Sequence, residues 1–253
     1  MKRRVIITGG ASGVGRVMAE AFLKLGDCVA VCDTSESEIF KLTCRFPQIL
    51  VAKADVGEEE SIERFFEMVI RELGGVDIFI SNAGISGPAG PIQKLKLSEW
   101  RSCITMNLDG AFLSCRWAAS QMLEQKNGVI ILISSTSGLF GVPFRSPYVT
   151  AKWGIIGLMK TLAIELGAAN VRVNAICPGS IEGDRMERVL SIESEATGRK
   201  LEDIRAKYMA GVSLRRFVTA RDVSDMAVFL ASDASRNVTG QAISVDGNTE
   251  RMV

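Results

Sequence analysis

The chain has 253 residues, 47% hydrophobic and 23% charged, ordinary globular proportions that supply enough apolar material for one buried core. With 30 Lys and Arg against 29 Asp and Glu, the net charge of +1 gives no footprint for a nucleic-acid partner. Histidine is absent, which excludes Ser-His-Asp and Cys-His catalysis and imidazole metal sites, and leaves Tyr, Lys, Cys and carboxylates for proton chemistry near neutral pH.

The apolar run after the opening MKRR ends within a few residues at Thr8 and two glycines, too short for a signal peptide. No stretch approaches the length of a membrane span. A cytoplasmic protein with no membrane partner is expected. The six cysteines form no C-x-x-C pair and lie mostly in apolar runs, so buried free thiols are expected rather than a disulfide framework or structural zinc.

A first strand at 5–8 runs into Thr8-Gly9-Gly10-Ala11-Ser12-Gly13-Val14-Gly15, which opens a helix at 14–26. Glycines there let the backbone turn tightly and approach a pyrophosphate, and the free N–H groups of the helix start favour an anion. The spacing is not G-x-G-x-x-G, so a plain strand–helix turn also fits the cluster taken alone. A second strand at 29–32 ends at Asp33, 20 residues beyond Gly13. An acidic side chain at that separation binds adenosine ribose hydroxyls and repels a 2′-phosphate, favouring NAD over NADP, although a turn or cap residue is the simpler reading. Arg16, just inside the helix, is a weak counterargument.

Further strands are expected at 49–52, 77–81, 129–134, 172–176 and 242–245. Helices at 36–45, 58–73, 98–126, 148–168, 183–210 and 220–232 alternate with them. Ser98 is a plausible cap for the long helix, and Thr219 with Asp222 resembles a capping box. Several strands are apolar throughout, which suits parallel strands covered on both faces. The pattern implies an α/β fold of one domain over 1–253, with a Rossmann-like doubly wound seven-stranded parallel sheet and helices on both faces.

Tyr148 and Lys152 stand four residues apart at a helix start, hence on one face. A nearby ammonium favours phenolate and makes tyrosine usable for proton exchange. An exposed helical pair explains the same spacing equally well when it is taken alone.

TGGASGVG, SNAG at 81–84, Asn107, ISSTSG at 133–138, YVTAK at 148–152, Pro178-Gly179 and VTGQAISVDGN at 238–248 follow one another in an order that resembles the short-chain dehydrogenase/reductase family from end to end. That resemblance implies that Ser135, 13 residues before Tyr148, holds the substrate oxygen, with Ser134 and Ser137 as nearby alternatives. It implies that Tyr148 is the acid/base, that Lys152 lowers its pKa and binds the nicotinamide ribose, and that Asn107 holds a proton-relaying water. It carries Thr8, Gly9, Ser12, Gly13, Val14, Gly15, Asp33, Asp55, Val56, Asn82, Ala83, Gly84, Tyr148, Lys152, Pro178, Gly179 and Ile181 to the cofactor. Asp55 serves equally as a cap for the helix starting near Glu58. Ser81 stands where the family usually has Asn, and 180–184 lacks the threonine that often follows Pro-Gly.

The family's variable substrate cover corresponds here to 182–211, a lid of one or two helices whose charges a solvated face also explains. Arg145 and Arg185 flank the expected pocket, and guanidinium groups grip carboxylate, phosphate or sulfonate. A small polar substrate is expected, acidic or sugar-like, with no metal. A homotetramer assembled through helices 98–126 and 148–168 and the C-terminal segment is also expected. An NAD-dependent dehydrogenase of a secondary alcohol leads. A 3-oxoacyl-type or other carbonyl reductase is the alternative, followed by a non-catalytic nucleotide sensor.

Overall fold

A computed structural model describes residues 2–250, except the side chains at 184, 185, 192, 193, 196 and 197. Seven parallel strands form one sheet: β1 (Arg4–Thr8), β2 (Cys28–Asp33), β3 (Leu50–Lys53), β4 (Ile78–Ser81), β5 (Gly128–Ile133), β6 (Val171–Pro178) and β7 (Ala242–Val245). Their order is β3-β2-β1-β4-β5-β6-β7. The chain leaves β1 for β2 and β3 on one side and returns to β4 on the other. This reversal opens a crevice at the carboxyl ends of β1 and β4, the usual ligand position in such sheets.

The strand pleat sorts each apolar run between two cores. Ile6, Phe79, Ile130 and Leu132 face one, packed against Phe65, Phe66, Met122 and Met159. Val5, Ile7, Ile78, Ile80 and Ile131 face the other, against Met18, Phe22, Val223 and Leu230. Every residue of β5 is buried. Each fully buried Ile or Phe contributes about 1.5–3 kcal/mol, so continuous apolar strands are stable only in the covered centre of a sheet.

The helices are α1 (Gly13–Lys24), α2 (Glu36–Arg45), α3 (Glu59–Leu73), α4 (Leu97–Ile104), α5 (Gly110–Gln125), α6 (Ser146–Gly167), α7 (Asp184–Thr197), α8 (Leu201–Ala210) and α9 (Ala220–Leu230). The long helix expected at 98–126 is interrupted by a π-helical turn at Thr105–Asp109. It begins at Leu97 rather than after Ser98, because the Glu99 carboxylate accepts the Lys96 N–H at 3.0 Å. The Thr219–Asp222 capping box is present, the hydroxyl accepting from Asp222 N at 3.2 Å and the carboxylate from Thr219 N at 2.7 Å.

Residues 183–210 fold as two helices because Gly198 turns left-handed (φ 68°) and stops α7. Met186, Leu190 and Ile204 of these helices, with Phe217 beyond them, form a small core of their own. Among the thiols, Cys44 is exposed, contrary to expectation, since α2 lies on the outer face and buries only Leu42.

Candidate active site

The β1–α1 turn is built by crowding and left-handed backbone together. Gly9 has φ 61°, and a Cβ there would come within 2.9 Å of the Ala83 Cα. At Gly15 a Cβ would collide with the Gly9 carbonyl and the Asn82 amide. Gly13 (φ 53°) faces open space, so backbone conformation alone selects glycine. Ser12 precedes α1 without giving its side chain to a cap, and Val14 is half-buried behind the turn. The leading N–H groups of α1 are therefore not capped by a serine hydroxyl, a geometry that suits an anion.

β4 is laced to this turn. The Asn82 amide donates to the carbonyls of Thr8 (3.0 Å) and Gly9 (2.8 Å), and the Thr8 hydroxyl accepts from Asn82 N (3.1 Å) and Ala83 N (3.2 Å). Ser81 is buried within β4, so its departure from the family pattern does not reach the turn.

Asp33 ends β2 with its carboxylate accepting from Ala11 N and Ser35 N, both at 3.1 Å. The side chain is half-buried and spans the gap between the glycine turn and α2. Arg16 pairs within its own helix with Glu20 (3.5 Å), and Lys53 with Glu36 (2.7 Å). Asp55 accepts from Gly57 N at 2.9 Å rather than capping α3, whose cap position is Glu58. Val56 is buried against Gly110, where a Cβ would approach its Cγ2 to 2.7 Å.

The second half of the site gathers at the carboxyl end of β5. Lys152 is only 4% exposed; its ammonium donates to the Ile133 carbonyl at 3.0 Å and lies 5.5 Å from the Tyr148 ring centroid. Ser134 is turned inward, donating to the Lys152 carbonyl at 2.9 Å, and Ser137 is buried. Ser135 is the partly exposed member of the three, its oxygen accepting from Ser137 N at 3.1 Å. Asn107 sits in the π-turn, its amide donating to the carbonyls of Cys103 (2.9 Å) and Ile85 (3.1 Å). Its Oδ1 is buried without a hydrogen-bond partner and lies 2.5 Å from where a Gly84 Cβ would be.

The remaining expected residues border this corner less closely. Pro178 ends β6, Gly179 leaves no room for a Cβ beside Asp246, and Ile181 bridges in parallel to Val218 just before α7. Arg145 donates to the Ser86 carbonyl at 2.9 Å, with its guanidinium carbon 5.1 Å from the Tyr148 ring centroid. The Arg185 side chain lies outside those described. Cys103 and Gly138 were not anticipated: the Cys103 sulfur is 3.6 Å from Asn107 Nδ2, and Gly138 lets the backbone of α6 approach Ser134. A glycine three residues after Ser135 was the one available signal, and only the packing of α6 gives it meaning.

A family model described as enoyl-(acyl carrier protein) reductase matches residues 9–248. The chain belongs to the short-chain dehydrogenase/reductase family. It is thus an oxidoreductase of a family that uses a nicotinamide cofactor. Its relatives include a 3-oxoacyl-(acyl-carrier-protein) reductase of Thermotoga maritima, 34% identical over 247 residues, 96% of this chain and 95% of that one. Among solved structures, a variant of actinorhodin polyketide ketoreductase with NADPH superposes with a TM-score of 0.94 at 29% identity, covering 99% of this chain and 98% of that one. An NAD+-bound xylitol dehydrogenase does so at 0.91 and 26%, covering 97% and 98%. A nicotinamide dinucleotide suits the residues present: the turn has no room for a Cβ at Gly9 or Gly15, and no serine hydroxyl caps the first N–H groups of α1.

Proposed function

We propose that this oxidoreductase uses NAD to interconvert a secondary alcohol and a carbonyl on a small polar substrate, a sugar, polyol or hydroxy acid. One observation carries the reading. Lys152 is pinned by the Ile133 carbonyl beneath the Tyr148 ring, while Ser135 alone of the neighbouring serines keeps partial exposure. Ser135 would donate to the substrate oxygen, and Tyr148 would exchange the proton with it. Lys152 would favour the phenolate, and Asn107 Oδ1 would accept from a water that passes protons outward. The glycine turn, Asp33, Asp55, Val56, the 82–84 segment, Pro178, Gly179 and Ile181 would hold the cofactor. When bound, the nicotinamide accepts or supplies the hydride, and the protein provides orientation and the proton route.

Asp33 supports NAD, since a 2′-phosphate would be set against its carboxylate. Arg145 and Arg185 would select acidic members of the substrate class. A cytoplasmic homotetramer is the accompanying reading, supported by the exposure of Phe112, Trp153 and Ile164 on α5 and α6.

The Thermotoga relative favours a second reading, reduction of a 3-oxoacyl group. NADH formation from NAD over a panel of polyols, sugars and hydroxy acids decides between them. Turnover that Tyr148→Phe abolishes supports the dehydrogenase. NADPH-dependent reduction of a 3-oxoacyl thioester, with no oxidation across the panel, replaces it with the reductase.

A further inference from the structure

The segment entering α6 is tied twice to the loop that follows β4. Gly90 N donates to the Phe144 carbonyl at 2.8 Å, and the Arg145 guanidinium donates to the Ser86 carbonyl at 2.9 Å. Phe144 has φ 63°, a left-handed conformation that a bulky side chain keeps only where its surroundings hold it. Arg145 follows at the cap position of α6, and its carbonyl accepts from Val149 N at 2.9 Å. These ties fix the guanidinium carbon 5.1 Å from the Tyr148 ring centroid, slightly nearer than the Lys152 ammonium at 5.5 Å.

We propose that Arg145 is a positioning residue for Tyr148, forming with Lys152 a pair of cations that orients the phenol ring and favours its ionised form. The inference rests on the reading of Tyr148 as the acid/base, and it gives Arg145 a task that needs no anionic substrate. A cation close to a titrating group favours its negatively charged state, and a guanidinium within about 6 Å of a ring centroid lies well against the aromatic face. The first turn of α6 contains no acidic residue.

From α4, the group facing this corner is the Cys103 thiol. Burial pushes its pKa up, while the fields of Arg145 and then Lys152 pull it down, so both cations reach the same place. Asn107 and Ser135 are neutral neighbours. Farther back, Cys177 of β6 feels Lys152 and Asp246, and the Asp246 carboxylate is occupied by Asn248 N and Thr249 N, each at 3.0 Å.

Tyr148 and Tyr208 are the only tyrosines in the sequence, so Tyr208→Phe leaves Tyr148 as a single reporter. Tyrosine isotope-labelled at Cζ and followed by NMR titration then reads its ionisation directly, in protein carrying neither nicotinamide nor substrate. In that background Arg145→Met is expected to raise the midpoint by about one pH unit, and Arg145→Lys to recover part of the shift. Arg145→Gln keeps a donor for Ser86 without the charge, and is expected to raise the midpoint as Met does. It serves in place of Met should that variant unfold. A midpoint unchanged in the folded neutral variant overturns the proposal. Failure of every alcohol in the panel would instead overturn the dehydrogenase reading and leave this titration standing.

Discussion

Asn82 and Thr8 brace each other across two strand ends: the Asn82 amide donates to the Thr8 carbonyl at 3.0 Å, and the Thr8 hydroxyl accepts the Asn82 N–H at 3.1 Å. The pair joins the glycine turn to β4, at the crevice where the strand order reverses. Replacing Asn82 by Ala strands two carbonyls, of Thr8 and Gly9, in a partly buried place. The expected cost is about 1–3 kcal/mol in a urea unfolding curve, together with weaker NADH binding in a fluorescence titration. Retained NADH affinity with lowered stability would show that the brace serves the fold alone.

Gly15→Ala separates shape from stability. The added Cβ meets the Gly9 carbonyl, which must move to admit it. Dinucleotide affinity is expected to fall at least about tenfold, because donors displaced from their geometry lose most of their hydrogen-bond energy. Calorimetric titration with NADH measures it.

Asp33→Ser is expected to bring NADP toward parity with NAD. Removing a carboxylate that would oppose the 2′-phosphate removes a repulsion of several kcal/mol, although the Ala11 N bond goes with it. The ratio of kcat/KM for NAD and NADP is the readout. A ratio unchanged by the substitution would mean that Asp33 has no part in selecting the cofactor.

The ion pair of Arg4 with Asp77 (2.7 Å) ties the start of β1 to the loop before β4. Burial alone would push the Asp77 carboxyl up, but hydrogen bonds from the Arg4 side chain and backbone outweigh it and hold the pKa below its ordinary value. A depressed folded-state pKa stabilises the protein above the unfolded value, and that contribution is lost as pH falls through the folded one. Arg4→Met is therefore expected to cost about 1–2 kcal/mol at neutral pH. The gap from the parent protein should narrow as the carboxylate range is crossed downward, which urea curves at several pH values will measure.

Ile164 is 84% exposed on α6, and Trp153 is 50% exposed on the same helix. If this face assembles the proposed tetramer, Ile164→Asp is expected to give smaller species in sedimentation velocity. An unchanged sedimentation profile would remove α6 from the interface.

Much of the architecture was legible because apolar runs betray covered parallel strands: all seven appear within a residue or two of their expected places. The capping box at Thr219 was legible because a hydroxyl and a carboxylate three residues apart before an apolar run are themselves a local signature. The π-turn at Asn107 was not, since one extra residue in a helical turn barely alters an apolar period averaged over many positions. The start of α4 was misplaced because a carboxylate at Glu99, rather than a hydroxyl at Ser98, satisfies the first backbone donor.

Chain order and residue type alone determined the family resemblance, the glycine turn, the acidic end of β2 and the four-residue step from Tyr148 to Lys152. These are local properties, written within a turn or a strand. Tertiary structure decided which serine faces outward, that Arg145 lies against Tyr148, that Asn107 keeps a buried oxygen without a hydrogen-bond partner, and that Thr8 and Asn82 brace each other. The physical reason is that each of these depends on a partner carried by another element: even Arg145, only three residues from Tyr148, is held by the Ser86 carbonyl of the loop after β4, and such meetings are set by sheet order and helix packing rather than by a local pattern.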